Sequence, residues 1–486
     1  MTTQQHNLVM DYYQLTMTYA HFKEGRHKKF AYFDMYYRKN PDGGGYTIFN
    51  GLDALIEYIE NFRFTESDLQ FLREKGDFDD EFLEYLRGFR FRGDIWCVPD
   101  GTVMFPNEPI LTVRGNLVEA QLIETKLLLL VNYASLVSTK ANRIATAAGH
   151  RTVLEFGTRR AHGETAAVEG AKYAYIAGCG GTACVETEKR YGILSTGTMA
   201  HSFIESYPGE YEAFLAYGKT FPSKSIFLVD TYNTLKSGVP NAIRVAKEYL
   251  EPNGYRLKGV RLDSGDLAYL SIQTRKMLDA AGMEDCQIVA SNSLDEYLIR
   301  DLISQGAKID TFGVGEKLIT AKSDPVFGGV YKLVAVEENE KIIPKIKLSE
   351  NSGKLTNPGY KRVYRFYDRT TGYALGDVVA LHDEKINPDR YTLIDPSDEW
   401  KRTTIENYRV VELQKPIFQQ GALVYDRPDV EQCKAYCTEQ VGTIYKEITR
   451  LSYPHTYYVD LSIPLLNLRK QLLKEHKSKL ETGGPE

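Results

Sequence analysis

Six short clusters of Gly, Ser, Thr, Asn, Asp and Arg recur between residues 157 and 316, and these residue types suit a phosphorylated substrate. They read Gly157-Thr158-Arg159-Arg160, Ser195-Thr196-Gly197-Thr198, Asp230-Thr231-Tyr232-Asn233, Asp263-Ser264-Gly265-Asp266, Ser291-Asn292-Ser293 and Gly313-Val314-Gly315-Glu316. Arginines beside glycine-exposed backbone amides at helix starts supply the charge and the donors that phosphate oxygens need. Asp263 and Asp266, with Asp230, offer the oxygen ligands that Mg²⁺ takes and shares with substrate phosphates. Each aspartate alone is equally well read as a helix N-cap. His201 follows Ser195-Thr196-Gly197-Thr198-Met199-Ala200, one turn into a predicted helix, where a packing or capping role competes with a catalytic one. There is no catalytic Cys motif, no dense carboxylate cluster and no G-x-x-x-x-G-K-[ST] loop. Gly313-Val314-Gly315 lacks the third glycine of a dinucleotide fingerprint and reads as a phosphate-compatible turn.

These clusters need elements to hold them. Most end a short apolar run, and helix-like segments separate the runs: Thr152–Phe156, Gly192–Leu194, Ser225–Val229, Gly259–Leu262, Gln287–Ala290 and Ile309–Phe312. Such alternation predicts parallel strands with crossover helices. In a (β/α) barrel all the clusters share the face that carries the chemistry; a doubly wound open sheet would also collect them along one edge. The barrel is the favoured reading. Ahead of it, Phe30–Arg38 reads as a strand ending at the breaker Asn40–Gly45. Leu52, Leu55, Ile56 and Ile59 fall on one helix face, Thr65 with Asp68 forms a capping box, and a long helical stretch runs from Val118 to Ala148. Beyond Val336 the pattern passes into strand-like pieces and a basic amphipathic tail, read as a solvated helix with a frayed end.

A chain of 486 residues, at about 150 residues per domain, predicts two or three domains. With 43% hydrophobic and 26% charged residues it has material for a large core, and a net charge of -5 gives no basic footprint for nucleic acid. The chain opens without a basic stretch followed by an apolar run, and Leu127–Val131 is too short to span a bilayer. Six cysteines without regular spacing argue against a disulfide framework and for a reducing compartment, and Cys433 and Cys437 read as plain thiols. The expectation is a cytoplasmic protein that binds neither membrane nor nucleic acid.

Taken in order, the clusters resemble the nicotinate phosphoribosyltransferase family and, more distantly, nicotinamide phosphoribosyltransferase. The resemblance runs from Asp11-Tyr12-Tyr13-Gln14-Leu15-Thr16 to Gly328-Gly329-Val330-Tyr331-Lys332-Leu333-Val334. Its most specific pieces are Glu155-Phe156-Gly157-Thr158-Arg159-Arg160, Gly197-Thr198-Met199-Ala200-His201-Ser202 and Arg261-Leu262-Asp263-Ser264-Gly265-Asp266. It implies an α/β fold: an irregular (β/α) barrel, residues 131–340, with an α/β sandwich domain built from residues 1–130 and 341–486. It implies a homodimer with shared active sites, the substrates nicotinate, PRPP and ATP, and Mg²⁺. His201 would be phosphorylated by ATP, and His201, Arg261 and Asp263 would be the catalytic set, with Asp263 the candidate Mg²⁺ ligand. Phe156 would stack on the pyridine and Tyr13 of the partner subunit would close the sandwich. Arg159, Arg261 and Asp263 would meet ribose and phosphate, Thr198 would lie beside nicotinate, and Thr320 with Gly328 and Gly329 would cradle the 5′-phosphate. Asp230, Ser291, Asn292, Gly313 and Gly315 complete the expected substrate-binding set.

Two departures bear on the substrate. Ala200 precedes His201 where the nicotinamide relative has an acid, and Ala183 follows Gly181-Thr182 where that relative has the aspartate that reads the amide. Both point to nicotinate. The alternatives are quinolinate or nicotinamide as substrate, or a non-catalytic protein that retains the fold. Ile226–Thr231 lacks the second acid and Thr-Gly run of the PRPP loop found in open-sheet phosphoribosyltransferases.

Overall fold

The computed structural model describes residues 7–347, 355–396 and 398–482, and the chain divides into two compact units. One is continuous, Val137–Pro325; the other is built from both ends, Met1–Leu136 with Val326–Glu486.

The continuous unit carries six parallel strands: β1 (Thr152–Glu155), β2 (Gly181–Thr182), β3 (Ile226–Leu228), β4 (Gly259–Leu262), β5 (Gln287–Ala290) and β6 (Thr311–Val314). Their hydrogen-bonded order is β2-β1-β6-β5-β4-β3. Val260, Leu262, Ile288, Ala290, Phe312 and Val314 are fully buried, as parallel strands covered on both faces require. Helices Glu164–Ile176, Leu267–Ala280 and Glu296–Ser304 make the crossovers after β1, β4 and β5. Asp266 caps the second of these through Tyr269 N and Asp295 caps the third through Leu298 N. Asp266 is therefore a capping residue, whereas Asp230 and Asp263 cap no helix.

The sheet curls. Ser195 bridges in parallel to Thr182, so the chain at Ser195 lies beyond β2 at one end of the order. Only six residues later, His201 touches Thr231, just past β3 at the other end. Six spacings in a flat sheet amount to about 29 Å, while six residues of chain reach at most about 20 Å. Even with the reach of both side chains added, a flat sheet would be spanned only by a fully extended segment, and His201 already begins a helix, so the strands close back as an irregular barrel. Among the described residues no ladder joins Ser195 to β3; side chains cross that gap. The strand expected at Gly192–Leu194 is thus reduced to the single bridge at Ser195, because Gly192, at φ 72, ends the helix Val185–Tyr191.

The second unit centres on a seven-stranded antiparallel sheet that interleaves the two ends of the chain. Phe30–Tyr36 pairs with Val330–Glu338 on one side and Leu111–Asn116 on the other, and Asp94–Cys97 pairs with Lys415–Gln419. Val330–Glu338 therefore belongs to this sheet, and the boundary expected at residue 340 lies instead at 325/326. Leu52, Leu55, Ile56 and Ile59 are buried on helix Leu52–Asn61, and the Thr65/Asp68 capping box is formed. The long helix expected from Val118 is two helices, Leu117–Leu122 and Glu124–Ala148. Cys433 and Cys437 lie buried on helix Val430–Gly442 against Gly101, where an added Cβ would come within 2.9 Å of Cys437 Cβ; burial pushes the Cys437 thiol up to about 12. The tail forms helix Ile463–Thr482, and the frayed end expected at 483–486 lies outside the described residues. Among the described residues no helix is long and apolar enough to cross a membrane.

Candidate active site at the strand C-termini

The side chains of the site gather at and beyond the C-terminal ends of the strands, and carboxylates lace neighbouring strand ends together. Glu155, the last residue of β1, accepts from Thr182 Oγ1 of β2 at 2.8 Å and from the Gly157 amide. Past β3, Asp230 accepts with Oδ2 from the Asp263 amide at 2.9 Å and from Ser264 Oγ at 2.6 Å, both beyond β4. Asp263 in turn accepts from Ser291 Oγ beyond β5. The carboxylate oxygens that are satisfied in this way fix their loops to one another.

His201 stands at the focus. It opens the short helix His201–Glu205 behind an extended Ala200, and so is the first helical residue, not one turn in as expected. Its Nδ1 lies 3.1 Å from Thr231 Oγ1. Its Nε2 faces Asp230 Oδ1 at 3.9 Å and Asp263 Oδ2 at 3.8 Å. Asp230 Oδ1 is buried without a hydrogen-bond partner. Among the described residues no group of three or more His, Cys, Asp and Glu is placed to hold a metal alone. The pair Asp230 and Asp263 therefore fits Mg²⁺ only in its usual shared form, one or two carboxylates plus substrate phosphates.

Arg261, on β4, donates through Nη1 to Thr198 Oγ1 at 2.6 Å, while its Nη2 is 3.9 Å from Asp263 Oδ1. Burial pulls this guanidinium down from its ordinary value and Asp263 and Asp230 hold it up; the charge of Arg159 acts on it in the same sense as burial. Arg261 Nε is buried with no partner, and Arg159 is exposed. Two arginines close enough to feel each other, beside a histidine and two carboxylates, form a cradle with anion affinity and a defined polar floor.

On the opposite arc, the Phe156 ring lies against the backbone of Gly313 in β6: a Cβ there would come within 2.5 Å of Cδ2 and 2.6 Å of Cε2. Gly315 lies against the Phe156 carbonyl, where a Cβ would approach to 3.0 Å. Gly313 thus seats the aromatic ring, and Gly315 packs against the backbone of Phe156 and Gly157. Ala183 is exposed beside Thr182, its amide bonded to Glu155 O at 2.8 Å. Beyond β5, Asn292 and Ser293 take φ of 91° and 48°, a left-handed region that non-glycine residues seldom occupy. Thr320 donates to Glu316 O at 2.8 Å.

Tyr13, Gly328 and Gly329 belong to the other unit. Tyr13 is 45% exposed on helix Tyr12–Lys23, and burial with Glu124 and Asp11 pushes its hydroxyl up to about 12. Gly328 has φ 71°, and Gly329 sits against Asn132 with no space for a Cβ. In the sequence, Glu155, Thr182, Thr231 and Ser264 stand inside the motifs with no role of their own. Their signal is position, immediately at or after a strand end, which becomes informative only once the strand order is known.

Residues 8–132 match the family model of the nicotinate phosphoribosyltransferase (NAPRTase) N-terminal domain, and residues 360–469 that of the nicotinate phosphoribosyltransferase C-terminal domain. The chain is 45% identical to the nicotinate phosphoribosyltransferase of Bacillus subtilis over 98% of this chain and 96% of that one. It is 36% identical to the enzyme of the same name from Dictyostelium discoideum, over 95% and 87%. The crystal structure of human nicotinic acid phosphoribosyltransferase superposes with a TM-score of 0.83 at 31% identity, covering 96% of this chain and all of that one.

Proposed function

The chain belongs to the nicotinate phosphoribosyltransferase family, and from that premise we propose that it joins nicotinate to the ribose of PRPP in NAD salvage. The products are nicotinate mononucleotide and pyrophosphate, and ATP hydrolysis drives the transfer through a phosphate carried on His201. The observation that supports this best is the convergence on His201 of Thr231, Asp230 and Asp263, with Arg261 alongside.

The pyridine nitrogen attacks C1 of the ribose as pyrophosphate leaves, through a transition state of oxocarbenium character. An aromatic nitrogen is already a nucleophile, so the site needs no strong general base. Phe156, held flat by Gly313, supports the ring for in-line attack. Arg261 and Arg159 receive phosphate charge, and Thr198 fixes the direction of the Arg261 fork. Asp230 and Asp263 are the residues that would hold Mg²⁺, which when bound neutralises charge on the departing pyrophosphate.

The two carboxylate oxygens facing Nε2 of His201 favour a proton on that nitrogen. The Nδ1 lone pair, oriented by Thr231, is then the one available to take a phosphoryl group from ATP. That phosphate adds about two negative charges at pH 7 and changes the affinities for PRPP and pyrophosphate, which couples hydrolysis to transfer. With Ala183 in place of a carboxylate, nothing at that position repels the nicotinate anion. The same family reading carries a cytoplasmic homodimer in which Tyr13 of the partner subunit closes the pyridine sandwich.

The test is incubation with nicotinate, PRPP, Mg²⁺ and ATP. The expected result is nicotinate mononucleotide, formed with ADP release and an acid-labile phosphate on the protein. No mononucleotide, or product formed from quinolinate and not from nicotinate, would reject this function.

A further inference from the structure

Glu155 is fully buried, yet it is one of the few interior carboxyl groups of the barrel unit that no step above uses. Its two oxygens are assigned to different loops. Oε1 accepts from the Gly157 amide, at the start of the loop that runs from Phe156 to Arg160. Oε2 accepts from Thr182 Oγ1 at 2.8 Å, and Thr182 Oγ1 itself accepts from the Cys184 amide at 3.0 Å. The Glu155 carbonyl meanwhile holds the Ala183 amide at 2.8 Å. Gly157 has no room for a side chain, since a Cβ there would fall 2.6 Å from Glu155 Oε1 and 2.6 Å from Ile319 Cβ. The turn is thus shaped around this carboxyl group. Burial pushes Glu155 up to about 7, so the protein keeps an acid where a neutral side chain would fold with less strain on solvation. A group retained at such a cost next to a site is a functional candidate.

We propose that Glu155 is a positioning residue for the pyridine substrate: its carboxyl group ties the Phe156–Arg160 loop to the Thr182–Cys184 loop and so fixes Ala183 relative to the Phe156 ring. The claim rests on the reading of nicotinate as substrate for its kinetic arm, and on the hydrogen bonds alone for its structural arm. Glutamine is the informative replacement because it conserves volume and removes the charge. Its single carbonyl can serve the Gly157 amide, but its NH₂ then meets a Thr182 hydroxyl that must give up its own donation. The tie to the second loop is weakened without opening a cavity.

Three measurements test this. In Glu155→Gln the kcat/KM for nicotinate falls about 10- to 100-fold, as expected for a misplacement of under an ångström in a positioned ring, mostly through KM, while KM for PRPP changes less than threefold and the thermal midpoint does not fall. In Thr182→Val the same parameter falls, and the double variant is no worse than Glu155→Gln alone, because both changes cut one tie. Hydrogen exchange followed by mass spectrometry, with no substrate present, is faster across residues 157–160 and 182–185 in Glu155→Gln than in the unaltered protein. Unchanged exchange overturns the tie whatever the activity. Unchanged kcat/KM, or a loss that tracks melting and affects both substrates alike, overturns the positioning role. If the unaltered protein makes no nicotinate mononucleotide, the functional reading fails and the exchange result still decides the tie.

Discussion

His201 has a separable place in the scheme: it sits among charged groups and hydroxyls, apart from the ring seat formed by Phe156 and Gly313. In the proposed scheme the histidine couples energy and does not form the N-glycosidic bond. Replacing it by alanine is accordingly expected to abolish ATP hydrolysis and the acid-labile phosphate while slow transfer persists at high PRPP. Full ATP coupling in His201→Ala would sink the assignment. Ala183 argues a second point at the same scale. A carboxylate there would oppose the nicotinate anion, and two like charges about 4 Å apart interact by about 4 kcal/mol at an effective dielectric near 20. Side-chain movement and water reduce this to the order of 1–3 kcal/mol, so Ala183→Asp should shift relative preference from nicotinate towards nicotinamide by about 10- to 100-fold. The kcat/KM for both substrates measures it, and an unaltered preference would mean that position 183 does not face the ring substituent.

Among the elements, β6 does its work by what it lacks. Gly313 offers Phe156 a flat backbone, and a methyl group there would sit 2.5 Å from the ring. Gly313→Ala must push the ring out by about 1 Å, a displacement worth on the order of 100-fold in a positioned reaction, with a stability loss of about 1–3 kcal/mol from overpacking. Steady-state kinetics beside a thermal melt checks this; a variant with ordinary activity would show that Phe156 does not support the substrate. The sequence made most of this arc legible, because Val260, Leu262, Ile288 and Val289 form short apolar runs that stop at polar clusters. It did not disclose β2, since Gly181-Thr182 is two residues long and lacks the apolar run that marks a strand. Nor did it disclose the lacing of strand ends. Asp230, Asp263 and Asp266 look alike as letters, but the first two bind neighbouring loops and the third caps a helix, a distinction set by strand order that one-dimensional spacing does not carry.

At the scale of the whole molecule, the unit built from both ends depends on contacts between segments far apart in the chain, which are slow to form because the loop must close before they reward it. One of them is ionic and dry. Asp34, on the strand Phe30–Tyr36, meets Lys361 of the strand Lys361–Asp368 at 2.8 Å, with side chains 2% and 1% exposed. Thr112 Oγ1 donates to the other Asp34 oxygen at 2.8 Å, and Lys361 also donates to Gly359 O at 2.5 Å. Burial pulls Lys361 down from the usual lysine value and Asp34 holds it up. Breaking such a pair by removing one partner leaves a buried charge unpaired and costs about 3–5 kcal/mol, whereas replacing both by apolar groups of similar volume can be neutral. Lys361→Met alone should therefore destabilise the protein by about that amount, and Asp34→Leu with Lys361→Met should recover most of it. Because two units need not unfold together, the measurement is urea-dependent hydrogen exchange read separately in strands 30–36 and 361–368 and in β4 and β5. The single variant should lower protection in the first pair of strands more than in the second. Equal loss in both would show that the units unfold as one, and no loss would show that the pair holds nothing together. The double variant should keep its activity per folded molecule, since neither residue belongs to the site, so a protein weakened by the single change and restored by the second would place this pair's role in joining the chain's two ends and not in the chemistry.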